Sequence, residues 1–437
     1  MYNEISKELL NFIEKSPSCF HAIDIIKKEL DENGFIELFE NKKWTIERGK
    51  SYYITRNLSS VIAFKIGEDL NDYSYNIIAS HSDSPSFKIK ENCEISTNNK
   101  YIQLNTEKYG GMIYSTWFDR PLSVAGRVIV NNKNEFTTKL VNVDRDIVLI
   151  PNVAIHMNKE INTGMKYNEQ VDLLPLFGIC NDKKASFMDM IAESAGTEKE
   201  NIIASDLFLY NRMKSSIWGS EDEFISSPKL DDLQCAFTSL KAFIEGSNSK
   251  SVNVYCCFDN EEVGSTTKQG AASTFLDDSL SRLNENLGKT REEYLCALAS
   301  SLLLSADNAH AVHPNHQELS DPTNKVYMNE GIVIKYNANQ KYTTDALSAA
   351  LIKSYCKKSD VPYQTYTNRS DMPGGSTLGN IASTHVSICM ADIGLAQLSM
   401  HSSYETAGIK DTYYMFKVMK EFYNSHIEKY ENKIMIN

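Results

Sequence analysis

Apolar residues near the start of the chain fall at Ile5, Leu9, Leu10, Phe12 and Ile13, and again at Ile23, Ile25, Ile26 and Leu30 beyond Ser16-Pro17-Ser18. This spacing predicts two amphipathic helices joined by a capped proline turn. Ser51 to Phe64 reads as a hairpin, and Tyr75 to Ser80 as a short strand. From about Lys90 to Ser227 the pattern changes to short alternating runs rich in Asn, Thr and Tyr. Arg127 to Val130 and Leu140 to Val143, on either side of the polar turn Asn131 to Asn134, typify it. Alternation of this kind predicts half-buried antiparallel strands. Continuous apolar strands return at Tyr255 and at Gly331 to Tyr336. Helical spacing marks Leu233 to Ile244, Arg291 to Leu304, Thr344 to Cys356 and a long terminal segment from about Asp411 to Tyr430. The pattern predicts an α/β protein in two parts, residues 1–90 and 228–437, interrupted by a β-rich insert over 91–227.

Charge and cysteine usage narrow the class of protein. The 437 residues carry 45 basic and 57 acidic side chains, a formal net charge of -12, which disfavours a nucleic-acid or anionic-membrane surface. M-Y-N-E-I-S-K-E-L-L lacks a basic segment followed by an apolar one, and no apolar run approaches the ~18 residues of a membrane helix. A cytoplasmic location is the expectation. The nine cysteines are scattered without C-x-x-C spacing and read as reduced thiols.

Several apolar runs end in polar chemistry. Tyr255 to Ser265, Y-C-C-F-D-N-E-E-V-G-S, is a buried strand running into Glu261 and Glu262, and adjacent carboxylates there call for a compensating cation. Taken alone, the same residues suit a solvated acidic turn. Tyr75 to Ser80 runs into His81-Ser82-Asp83, in which a carboxylate can fix the tautomer of a liganding imidazole. Ile150 to Ile155 ends at His156, which by itself suits a structural role. In K-L-D-D, Asp231 is a candidate ligand and Asp232 the better candidate for a helix cap. Asp307 is expected where the helix from Arg291 ends. His310, His313 and His316 follow, but Pro314 argues against a helical metal motif. Asp371 to Ser376 is a glycine-bearing loop, and His401 precedes the terminal helix. Three carboxylates, Asp231, Glu262 and Asp307, with two histidines, His81 and His401, suit a pair of divalent ions sharing one aspartate. Nitrogen and carboxylate donors favour zinc, with cobalt or manganese as alternatives.

The ordered blocks S-P-S-C-F-H-A, A-S-H-S-D-S-P, I-P-N-V-A-I-H, K-L-D-D, F-D-N-E-E-V-G-S, S-A-D-N-A-H-A-V-H-P-N-H and Q-L-S-M-H-S-S-Y-E span nearly the whole chain. Together they resemble the M18 metalloaminopeptidases, the aspartyl aminopeptidase group. That resemblance implies a dinuclear zinc exopeptidase with a mixed-sheet catalytic domain flanked by helices. The insert would be a dimerisation domain, and dimers would build a tetrahedral dodecamer. It implies that His81 and Asp307 hold one ion, Glu262 and His401 the other, with Asp231 bridging. Glu261 would be the general base, Asp83 the carboxylate orienting His81, and His156 a residue donated to a neighbouring subunit's site. Substrates would be peptides with a free, preferentially acidic amino terminus, with Lys335 or Arg369 receiving the acidic side chain. Neutral or broad specificity, a dinuclear deacylase or carboxypeptidase, and a non-catalytic metal-stabilised assembly protein are the competing expectations. Glu261 counts against the last, because a scaffold needs no base.

Overall fold

A computed structural model describes residues 1–180, 186–431 and 433–437. The chain opens with α1 (Tyr2–Glu14) and α2 (Cys19–Glu32), then β1 (Ile36–Leu38), β2 (Ser51–Arg56), β3 (Ser60–Ile66) and β4 (Tyr75–His81). A second group follows: β5 (Ser86–Thr97), β6 (Tyr101–Tyr109), β7 (Leu122–Asn132), β8 (Glu135–Asn142), β9 (Leu176–Ile179), α3 (Phe187–Ala195) and β10 (Ile202–Asn211). The remainder comprises β11 (Ser216–Trp218), β12 (Phe224–Ser227), α4 (Leu230–Glu245), β13 (Val252–Phe258), α5 (Phe275–Asn286), α6 (Arg291–Ala299), β14 (Leu302–Ala306), β15 (Ala309–His310) and β16 (Ile332–Tyr336). Next come α7 (Ala346–Lys358), β17 (Tyr363–Thr367), α8 (Leu378–Ala382), β18 (Cys389–Gly394), β19 (Ala396–Leu398), β20 (Glu405–Gly408), α9 (Asp411–Asn424) and a closing hairpin, β21 (Ile427–Tyr430) and β22 (Lys433–Ile436).

Nine strands form a mixed sheet in the order β1-β2-β3-β13-β4-β14-β18-β16-β17. At its centre β13, β4 and β14 are mutually parallel, with Phe258 opposite His81 and Ser305 opposite Ala79, so their carboxyl ends open on one edge. All seven residues of β4 and of β13 are buried, as their unbroken apolar runs require of strands covered on both faces. One core packs α1, α2, α4, α7 and α9 on one face through residues such as Leu9, Ile26, Phe243, Tyr355 and Tyr423. The other packs Phe275, Leu280, Leu283 and Tyr294 of α5 and α6 on the opposite face.

The six-stranded sheet, β8-β7-β10-β5-β6-β9, has its own core around Phe87, Trp117, Val128 and Phe187. It begins at Ser86, ahead of residue 91, because β5 continues from the turn that follows His81. Strands β11 and β12 leave it for a five-stranded sheet, β11-β12-β20-β19-β15, in which Ser227 lies opposite Glu405 and Ala309 opposite Ala396.

Two expected helices are shorter than their apolar patterns suggest. A reciprocal Thr290–Glu293 capping box starts α6, which ends at Ala299; Leu302 to Ala306 is the buried strand β14. Asp307 therefore follows a strand and not a helix, since a short continuous apolar run suits either element and the central slot of the sheet selects the strand. The terminal helix likewise stops at Asn424, and Ile427 to Tyr430 pairs with β22. Neither Asp231 nor Asp232 caps α4. Lys229 holds that position, and both aspartates adopt non-helical backbone angles within its first turn.

Candidate metal centre

The carboxyl edge of the sheet gathers the acidic and imidazole groups. β4 ends in His81, β13 runs into the turn carrying Glu261 and Glu262, and β14 runs into Asp307. The start of α4 supplies Asp231, and the turn between β19 and β20 supplies His401. Asp231 lies between the two histidines: its Oδ1 is 3.4 Å from His81 Nε2, and its Oδ2 is 3.5 Å from His401 Nε2. His81 Nε2 is also 3.9 Å from Asp307 Oδ1, and His401 Nε2 is 3.4 Å from Glu262 Oε2. Three groups of donor atoms result: His81, Asp231, Asp232 and Asp307; Asp231, Glu262 and His401; and His81, Glu261 and Glu262.

Buried acidic groups also hold the backbone of this cluster. Asp232 Oδ2 accepts from the His81 backbone N–H at 3.0 Å. Glu405 takes the backbone N–H of Asp231 at 3.0 Å and of His401 at 2.7 Å, tying together two segments far apart in sequence. Asp83 accepts from the backbone N–H groups of Glu261 (3.1 Å) and Glu262 (3.2 Å). His81 Nδ1 lies 3.0 Å from the Asp83 carbonyl oxygen and 3.4 Å from its Oδ1, so the carbonyl is the nearer partner. The imidazole then presents Nε2 to the cluster.

Negative charge exceeds what the protein itself neutralises. Burial, then Asp307, Asp83 and Asp231, push the Glu261 carboxyl up to about 8, and burial with Asp231 raises Glu262 as well. Burial opposes a proton on His401, but Asp231 outweighs it and lifts that imidazole to about 9. Asp231 Oδ1 and Glu262 Oε1 are buried without a hydrogen-bond partner. Raised carboxyls, raised imidazoles and unpartnered buried oxygens fit cation ligands, because a cation stabilises the ionised carboxylates and displaces the imidazole protons. The donor set contains no thiolate, as expected for zinc, cobalt or manganese.

The other expected residues lie in different settings. Lys335, 2% exposed, donates to the Asn308 carbonyl at 2.6 Å and sits 3.5 Å from Asp307 Oδ2, an internal ion pair against a candidate ligand. Arg369 is partly exposed, paired with Asp371 at 2.8 Å and bonded to the Glu318 carbonyl, outside the cluster. His156 is exposed in a turn of the six-stranded unit. His313 and His316 pair ring to ring, with His316 3.1 Å from Glu318, and neither they nor His310 join the donor groups. Sequence reasoning missed Asp232 as part of the cluster and Glu405 as its strut. The K-L-D-D and H-S-S-Y-E blocks contain both, but backbone-directed bonds leave no residue-type signature. Among the described residues no helix is long and apolar enough to cross a membrane.

Residues 12–423 match the family model described as aminopeptidase I zinc metalloprotease (M18). A "Probable M18 family aminopeptidase 2" of Clostridium novyi (strain NT) is 49% identical over 432 residues, covering 97% of this chain and 100% of that protein. A "Probable aspartyl aminopeptidase" of Ricinus communis is 35% identical over 473 residues, covering 97% and 96%. Among solved structures, a chain of the "Ape4 and Nbr1 complex" superposes with a TM-score of 0.94 at 35% identity, covering 97% of this chain and 86% of that one. The "S. cerevesiae mApe1 dodecamer" gives 0.84 at 26% identity, covering 97% and 98%.

Proposed function

The chain belongs to the M18 family of metal-dependent aminopeptidases, and we propose that it works with two divalent ions at the cluster of His81, Asp231, Glu262, Asp307 and His401. His81 and Asp307 would hold one ion, Glu262 and His401 the other, and Asp231 both. The placement of Asp231, one oxygen toward each histidine, carries this reading. When bound, the ions, most consistent with zinc, supply Lewis acidity toward the scissile carbonyl and lower the pKa of water. Glu261 accepts the proton of the attacking water on its carboxylate and delivers it to the departing amine. Asp83 keeps the backbone of that glutamate in place. A free substrate amino terminus meets the acidic edge of the cluster, which favours removal of a terminal residue over internal cleavage and over deacylase chemistry.

Three finer assignments complete the proposal. Residues 91–227 act as the dimerisation domain of a cytoplasmic dodecamer, in keeping with the dodecameric mApe1 neighbour, and His156 completes a neighbouring subunit's site and donates to the developing oxyanion. Lys335 receives an acidic amino-terminal side chain, in line with the name of the Ricinus relative. Its existing bonds to Asn308 and Asp307 favour instead a broader specificity, and a panel of aminoacyl substrates decides between the two. The central test is Glu261→Gln: the variant should keep both ions and lose about a hundred- to ten-thousandfold in turnover. Normal ion content with a near-normal rate would remove Glu261 from the chemistry.

A further inference from the structure

Asp83 is held from the far side by a residue of the six-stranded unit. Tyr109, the last residue of β6, places its hydroxyl 2.7 Å from Asp83 Oδ2. The direction of that bond follows from its neighbours. Asn260 Oδ1 accepts from Thr267 Oγ1 at 2.8 Å and from Gln269 Nε2 at 2.7 Å, so the Asn260 amide nitrogen faces Tyr109 and donates to its oxygen at 2.8 Å. The phenol proton is then committed to Asp83, whose two oxygens also take the backbone N–H groups of Glu261 and Glu262. Phe208 meets the Tyr109 ring edge to face with centroids 5.4 Å apart, which sets its tilt. Beyond it the chain turns at Gly110, φ +76°, where a Cβ would come within 3.1 Å of Glu262 Cβ. The same segment reaches His401, whose carbonyl accepts from the Ile113 backbone N–H at 3.0 Å.

We propose that Tyr109 is a positioning residue: through Asp83 it fixes the backbone that carries Glu261 and Glu262, and so couples the six-stranded unit to the alignment of the base. The proposal rests on the reading of Glu261 given above. Tyr109→Phe removes one oxygen and keeps the ring packing. In the metal-loaded enzyme it should lower kcat by about ten- to a hundredfold, the usual range for a group acting behind the first layer of ligands, with KM within about twofold and both ions bound. Asp83→Asn should lower kcat too, and the double variant should be no slower than Asp83→Asn alone, because the hydroxyl acts only through that carboxylate. A wild-type kcat for Tyr109→Phe, or losses that multiply in the double variant, would overturn the proposal. So would a Tyr109→Phe chain that unfolds or sheds its ions, since the hydroxyl would then serve stability. An active Glu261→Gln enzyme fails the underlying reading, whereas an inactive one beside a fully active Tyr109→Phe fails this proposal alone.

Discussion

Stripped of divalent ions, the enzyme is expected to be most stable in mild acid and to weaken as the pH rises. Glu405 sets the scale, being 2% exposed, with burial and then the charge of Asp231 pushing its carboxyl from 4.5 up to about 8. A carboxyl raised on folding binds its proton more tightly in the native state. Its contribution is complete below the unfolded value and is lost as the pH climbs through the folded one. Between about pH 5.5 and about pH 8.5 this group alone costs about 3 kcal/mol. Glu261, also raised to about 8 with burial as the main cause, acts in the same direction. So does His401: raised to about 9 against the effect of burial, it contributes fully below the ordinary 6.5 and loses its contribution through 9. The protons are shared within one cluster, so these losses overlap and do not sum. Thermal melts of the chelated protein at the two pH values, repeated after zinc is restored, test this. Zinc should raise the melting temperature more at the higher pH and release protons into a weakly buffered solution on binding at about pH 6. A chelated protein whose melting temperature is flat or rises across the interval refutes the reasoning.

His156→Ala should slow turnover without emptying the metal sites, and mixing it with Glu261→Gln under conditions of subunit exchange should restore activity through hybrid sites. No recovery would assign His156 a role within its own chain or a structural one. Lys335→Met should depress cleavage of Asp and Glu substrates about ten- to a hundredfold relative to Leu or Ala substrates, the scale of one charge-assisted hydrogen bond. If kcat/KM falls equally for all of them, Lys335 serves Asp307 and not the substrate. Glu405→Ala, which frees two backbone N–H groups, should weaken metal affinity about ten- to a hundredfold, as read by competition with a graded chelator.

His81, Glu261 and Glu262 stand out in the sequence because each follows an apolar run that stops, whereas Asp231 and His401 join them only through the resemblance of whole blocks to the M18 family. Asp307 shows the limit: the run before it reads as the end of a helix and is the strand β14, because L-L-L-S-A buries equally well as helix or strand. Glu405, Asp232 and Tyr109 were not legible as parts of the site. Their partners are backbone N–H groups and a carboxylate brought close only by folding, and a Tyr before two glycines has many uses. The charge of Lys335 can be read from its residue type but its setting cannot, and the ion pair with Asp307 is visible only when β16 is placed beside β18.

The five-stranded sheet has a bearing on how the enzyme is made. β12 leads into Asp231, β15 follows Asp307, and β19 and β20 flank His401, so this sheet draws together donor groups drawn from three remote parts of the polypeptide. During synthesis the amino-terminal strands emerge and begin to fold first. The pairing of β12 with β20 cannot form until residues 405–408 have left the ribosome. Until then His401 has no fixed place and Asp231 lacks the Glu405 carboxylate that holds its backbone. A site built on His401, as proposed above, therefore stays incomplete until β20 has been made, and the order of the residues serves as the timer.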